Sequence, residues 1–153
     1  MVDVRRLPRS RRHPHFGREP LAAALAAAGM RYDHREGLGG MREPDGSSTN
    51  AGLEVAAFRG YADYMRTERF VAELEGLLAL AGARRTAMMC AEAALAECHR
   101  SLIADALTAR GIVVEHILGD GGTVRHGLRR TARVASGRVT YPAPQGELWT
   151  GAS

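Results

Sequence analysis

The chain has 153 residues, enough for one domain with a buried core, and 45% of them are hydrophobic while only 5% are aromatic. Its formal net charge is +4 and all 21 basic residues are arginine, which excludes Schiff-base and P-loop lysine chemistry and leaves side chains suited to bidentate phosphate contact. The longest Ala/Leu-rich run, Leu21 to Ala28, is too short to span a bilayer, and two cysteines make no secreted disulfide framework, so a reducing cytoplasm and no membrane partner are expected.

Val2-Asp3-Val4 reads as a short strand, and Arg5, Arg6, Arg9, Arg11 and Arg12 crowd the proline-broken loop behind it. Such a run is a solvated basic arm or, because it follows a strand, a ligand loop. A helix is expected from Pro20 to Ala28 with Gly29 as its cap, then a strand over Met30 to His34. Glu36 to Gly52 is rich in Gly, Pro, Ser and Asn and reads as a long loop. A short helix follows from Phe58 and ends near Thr67, which caps a second helix carrying Phe70, Val71, Leu74, Leu77, Leu78 and Ala81 and stopping at Gly82.

Thr86 to Cys90 reads as a buried strand, Cys98 to Arg110 as a helix with Leu102, Ile103, Ala106 and Leu107 on one face, and Ile112 to Leu118 as a further strand. Val134 to Tyr141 fits a hairpin around Ser136-Gly137, and the last residues are expected to be loose. The organisation is one α/β domain over 1–118, with 119–153 as a C-terminal extension packed on it or partly flexible.

Strands alternating with helices predict a mostly parallel sheet covered on both faces, with ligands bound where the strands end. Arg5 and Arg6, His34, Cys90 with Glu92, and His116 would then share one edge. The helix opening with Cys98-His99-Arg100 would start there too. Cations at a helix N-terminus oppose the macrodipole, so His99 and Arg100 fit a bound anion, or Arg100 pairs with Glu92 or Glu97. The same position lowers a thiol pKa, which marks Cys98, whereas Cys90 ends an apolar strand and reads as a small buried hydrophobe. Adjacent Cys98 and His99 are expected to point apart from a helix start, which disfavours a metal site, and no cofactor is implied.

Asp3-Val4-Arg5 with Pro8, Ser10, Arg11 and Phe16, then Leu38-Gly39-Gly40, Gly60-Tyr61-Ala62 with Tyr64-Met65, and above all Cys90-Ala91-Glu92 followed by Cys98-His99-Arg100, resemble the domain of unknown function 488 family. The tail, from Gly137 to Pro142 and from Gln145 to Leu148, is similar to its bacterial members. The resemblance implies a Rossmann-like three-layer α/β domain and no defined activity. Family members usually open with a further strand and helix, so an N-terminally truncated version of that fold is expected. Ala94-Leu95 stand where the family usually carries Asp-Pro.

Three functions remain open. The first is an enzyme on a phosphate-bearing substrate, a nucleotide or nucleic acid: Arg5, Arg11 and Arg100 hold the anion, Glu92 moves protons, and Cys98 or Cys90 is nucleophile beside His99. The second is a non-catalytic nucleic-acid or nucleotide binding module using the arginine loop and Arg129, Arg130 and Arg133. The third is a thiol or metal sensor built on Cys90, Cys98 and His99.

Overall fold

The structure, a computed structural model, describes residues 1–144. Strand β1 (Val2–Asp3) lies between β2 (Asp33–His34) and β3 (Met88–Met89), parallel to both. Parallel neighbours need crossovers. These are α1 (Arg18–Ala27), which joins β1 to its neighbour β2, and α2 (Ala56–Tyr64) with α3 (Glu68–Ala83), which carry the chain from β2 past β1 to β3. Helix α4 (Arg100–Thr108) follows β3 and is the most enclosed: Ser101 through Leu107 are all buried.

Local chemistry explains the boundaries. Gly29 takes φ 72 just past α1, a conformation open to a residue without Cβ. Thr67 caps α3 by accepting the Phe70 N–H at 3.2 Å. The core joins Val2 and Val4 of the sheet to Tyr61, Phe70, Leu74, Leu102 and Ile103 of the helices.

The segment expected to be a fourth parallel strand behaves differently. β4 (Glu115–Ile117) pairs antiparallel with β5 (Thr123–Arg125) in a separate ribbon. The Gly121 turn, at φ 83, closes it over a few residues, and such local pairing costs less chain entropy than a crossover into the sheet. Its composition agrees: Val113 and Ile117 are 60% and 71% exposed, unlike a strand covered on both faces.

A second ribbon joins β6 (Arg133–Ala135) to β7 (Arg138–Thr140) through Ser136 and Gly137, both at positive φ, as the sequence predicts. Beyond it Tyr141 is fully buried, with its N–H on Asn50 Oδ1 at 2.9 Å. Of the residues expected to be loose, 145–153 lie outside the described part of the chain.

Candidate functional site

The chain leaves β3 at Cys90, passes Glu92 on the surface, makes one 3-10 turn over Leu95–Glu97, and enters α4 through Cys98 and His99. One donor atom from each of Cys90, Glu92, Cys98 and His99 falls within 4.8 Å of all the others. Glu92 Oε2 lies 2.7 Å from Cys90 Sγ and 3.3 Å from Cys98 Sγ, and His99 Nδ1 lies 3.9 Å from Cys90 Sγ. The expected divergence of Cys98 and His99 is thus overturned. Cys98 is extended, at φ −113 and ψ 134, while His99 is helical, at φ −60 and ψ −14, so the backbone bends between them and brings both side chains to one side.

The buried imidazole of His99 is fixed in one tautomer. Its Nε2 lies 3.1 Å from the Val4 carbonyl, which can only accept, so Nε2 carries the hydrogen and Nδ1 presents a lone pair towards Cys90. Tyr61 packs against the ring at 5.0 Å. Gly40 lies flat against it, because a Cβ there would sit 2.8 Å from Nδ1, and one at Gly39 would sit 2.7 Å from the Arg6 Cα. The loop rich in glycine is therefore a wall of the site, anchored at Leu38 and Gly37 by the hydroxyls of Tyr61 and Tyr64, each at 2.6 Å.

The two sulfurs differ in how readily they ionise. The thiol of Cys90 beside it, against the opposing effect of burial and with help from the backbone and side-chain N–H groups of Arg100, holds the Cys98 thiol below its ordinary value. The same contact, then burial and Glu92, pushes Cys90 up. Of the two sulfurs Cys98, which is fully buried, is therefore the more readily ionised. Arg100 Nε lies 3.1 Å from Cys98 Sγ, the Arg100 backbone N–H 3.4 Å from it, and the guanidinium also donates to the Glu92 carbonyl at 2.5 Å. The Arg100 cation at the head of α4 is thus taken up by acceptors of the protein itself, the Cys98 sulfur and the Glu92 carbonyl.

Arg5, expected to clamp an anion, instead directs its fork at Asp3: Nε to Oδ1 is 2.9 Å and Nη2 to Oδ2 is 2.5 Å, with Arg5 itself buried. Tyr32 Oη also donates to Asp3, at 2.7 Å. Arg11 is exposed in the loop after β1. His34 lies at the sheet edge with Nε2 2.9 Å from the Arg5 carbonyl. In the tail, Arg129 packs inward on Ser101 and Asp105 while Arg130 is exposed.

Asp3 as a partner of Arg5, and Asp105, are not among the residues that the motifs single out. The signal for Asp105 was present: a carboxyl amid Leu102, Ile103, Ala106 and Leu107, on the apolar face of a helix, requires partners.

Residues 1–107 match the family model described as Domain of unknown function DUF488. No curated protein and no solved structure matches the chain.

Proposed function

The chain belongs to the DUF488 family, and on that premise we propose that it is a metal-dependent hydrolytic enzyme acting on a phosphate-bearing substrate, a nucleotide or nucleic acid. Cys90, Cys98 and His99 hold the ion and Glu92 accepts the proton of attacking water. The observation that carries this reading is the convergence of two sulfurs, an imidazole nitrogen and a carboxylate within 4.8 Å.

The donor set suits a zinc-class ion, since thiolate and imidazole select it and its four ligands sit on the order of 3.3 to 3.8 Å apart at ordinary bond lengths. The 3.9 Å from Cys90 Sγ to His99 Nδ1 is close to that spacing. The Val4 carbonyl on His99 Nε2 is the outer partner that a metal-bound histidine needs. Glu92 is exposed and lies 2.7 Å from Cys90 Sγ, a hydrogen-bonding distance shorter than two ligands of one ion keep. It therefore suits proton transfer beside a site with three protein ligands and one open position. Zinc deaminases use the same economy, with a Glu two residues after the first ligand that moves protons without binding metal.

When bound, such an ion lowers the pKa of its water and polarises the bond under attack. Arg100 stabilises the Cys98 sulfur, and His99 anchors the centre to β1. The anionic substrate class is supported by Arg11 and the exposed arginines beside it, which follow the strand that touches His99. A nucleophilic cysteine is disfavoured, because the more readily ionised sulfur, that of Cys98, is the enclosed one. We also propose a Rossmann-like three-layer arrangement, supported by the parallel order β2-β1-β3, and a cytoplasmic setting, supported by the free Cys90 and Cys98.

The test is metal content of tag-free protein beside turnover of a nucleotide and oligonucleotide panel. One zinc per chain is expected, lost in Cys90→Ser and Cys98→Ser, and retained in Glu92→Gln, which loses turnover. Failure to bind zinc at micromolar concentration defeats the proposal. Zinc bound through Glu92 as a fourth ligand, without turnover, would support a metal sensor instead.

A further inference from the structure

Between Val4 and Arg18 the chain carries Arg5, Arg6, Arg9, Arg11, Arg12 and Arg18 and no acidic residue. Asp3 takes Arg5, and the Met41 carbonyl takes Arg6 at 2.9 Å. Arg9, Arg11, Arg12 and Arg18 are exposed and make no ion pair among the described residues. The loop that presents them is held in shape. The Pro8 carbonyl accepts the Arg18 N–H at 3.0 Å, Ser10 Oγ the His13 N–H at 2.9 Å, and the His13 carbonyl the Phe16 N–H at 2.9 Å. Beside the arginines three rings meet: His15 and Phe16 have centroids 4.4 Å apart, and His13 lies 5.8 Å from His15 and 6.3 Å from Phe16. All three are exposed, Phe16 at 44%.

We propose that residues 6–18 form a surface for single-stranded nucleic acid, with phosphates on Arg9, Arg11 and Arg12 and bases stacked on the rings of His15 and Phe16. It rests on the enzymatic reading above only in making that polymer the substrate. Unpaired guanidiniums beside exposed rings are the two parts such a surface needs, one for the backbone and one for the base faces. A free nucleotide would occupy one or two of the arginines and leave the rest idle. A duplex hides its base faces, so the ring cluster would have nothing to stack on. An acidic membrane fits less well, because only Leu7 and Phe16 of this loop are large exposed hydrophobics and two of the three rings are imidazoles.

The near end of the surface is at the wall of the cysteine centre. Val4, whose carbonyl lies 3.1 Å from His99 Nε2, is two residues before Arg6. A Cβ at Gly39 would sit 2.7 Å from the Arg6 Cα, and Gly40, the next residue, lies against the His99 ring. The loop itself does no chemistry; it holds the polymer.

The experiment is fluorescence anisotropy on the full chain, with and without zinc, using a labelled single strand of about 12 nucleotides, its duplex, and phosphatidylserine vesicles as competitor. The single strand is expected to bind more tightly than the duplex and to resist the vesicles. Its log K should fall against log salt with a slope of about −2 to −3, from three or four phosphate contacts. Phe16→Ala should weaken single-strand binding by about tenfold with the slope unchanged, and Phe16→Trp, which keeps a stacking face, should restore it. Arg9→Gln, Arg11→Gln and Arg12→Gln together should flatten the slope by about 2. Equal binding of duplex and single strand, displacement by the vesicles, or loss caused instead by Arg130→Gln with Arg133→Gln overturns the proposal. Zinc uptake with turnover of free nucleotides but no strand binding overturns this surface alone. Strand binding without zinc uptake upholds the surface and overturns the reading of the centre.

Discussion

His99 donates its Nε2–H to the carbonyl of Val4 across 3.1 Å, tying the head of α4 to the end of the central strand β1. That one bond sets the direction of the other ring nitrogen and so of the whole cluster. His99→Phe keeps the ring volume but leaves a buried carbonyl unpaired, which costs about 1–3 kcal/mol. Urea unfolding should show that loss, and metal analysis should show no zinc; a variant that retains full zinc would remove His99 from the ligand set.

Arg100 touches the centre without joining it, through its contact with Cys98 Sγ at 3.1 Å and with the Glu92 carbonyl. Arg100→Leu should weaken zinc binding by about 10- to 100-fold, the usual effect of losing an outer partner. Competition with a chromophoric chelator measures it. Affinity unchanged within a factor of two would mean that the guanidinium supports only the fold.

Gly40 is a steric test of the wall over His99. A methyl group there would meet His99 Nδ1 at 2.8 Å, whereas one at Gly46 meets nothing within 4 Å. Gly40→Ala should cost about 1–3 kcal/mol from overpacking and reduce zinc occupancy, while Gly46→Ala should do neither. Equal thermal unfolding of the two variants would show that the loop yields freely.

The Asp3–Arg5 pair supports the sheet edge and makes stability depend on pH. Burial is the largest influence on Asp3 and pushes its carboxyl up, but the hydrogen bonds from Arg5 and Tyr32 and the Arg5 charge together outweigh it, and the net result is below the ordinary value. The unfolded chain therefore binds more protons than the native one as acid is added. The stabilisation is complete above the unfolded pKa, about 3.9, and is lost as pH falls through the lower native value. At neutral pH Asp3→Asn strands a buried guanidinium and should cost about 3–5 kcal/mol. Unfolding curves of the two proteins should converge below about pH 4; curves that stay parallel would assign the loss to packing.

Much of the scaffold was legible because its signals are local. Thr67, Gly29 and Ser136-Gly137 stop or turn the chain by their own conformational preferences, and the helix spacing of Phe70, Leu74 and Leu77 predicted the buried face of α3. The strand at Met88–Met89 and the helix at Arg100–Thr108 were likewise read within a few residues, which put the centre at their junction. The pairing of β4 with β5 is not legible, because an apolar run does not say which strand it joins.

By itself the sequence determined that Cys90, Glu92, Cys98 and His99 gather at the end of a strand and the start of a helix, since the spacer between them is too short to carry them far apart. Only the tertiary structure decided what each does: the bend between Cys98 and His99 turns both donors inward, Asp3 takes Arg5, and Asp105 gathers His126 and Tyr141 from segments far along the chain. The physical reason is that capping and periodicity act within a turn or two of chain. Hydrogen-bond partners of buried charges, by contrast, are chosen by whatever the folded core brings within about 3 Å.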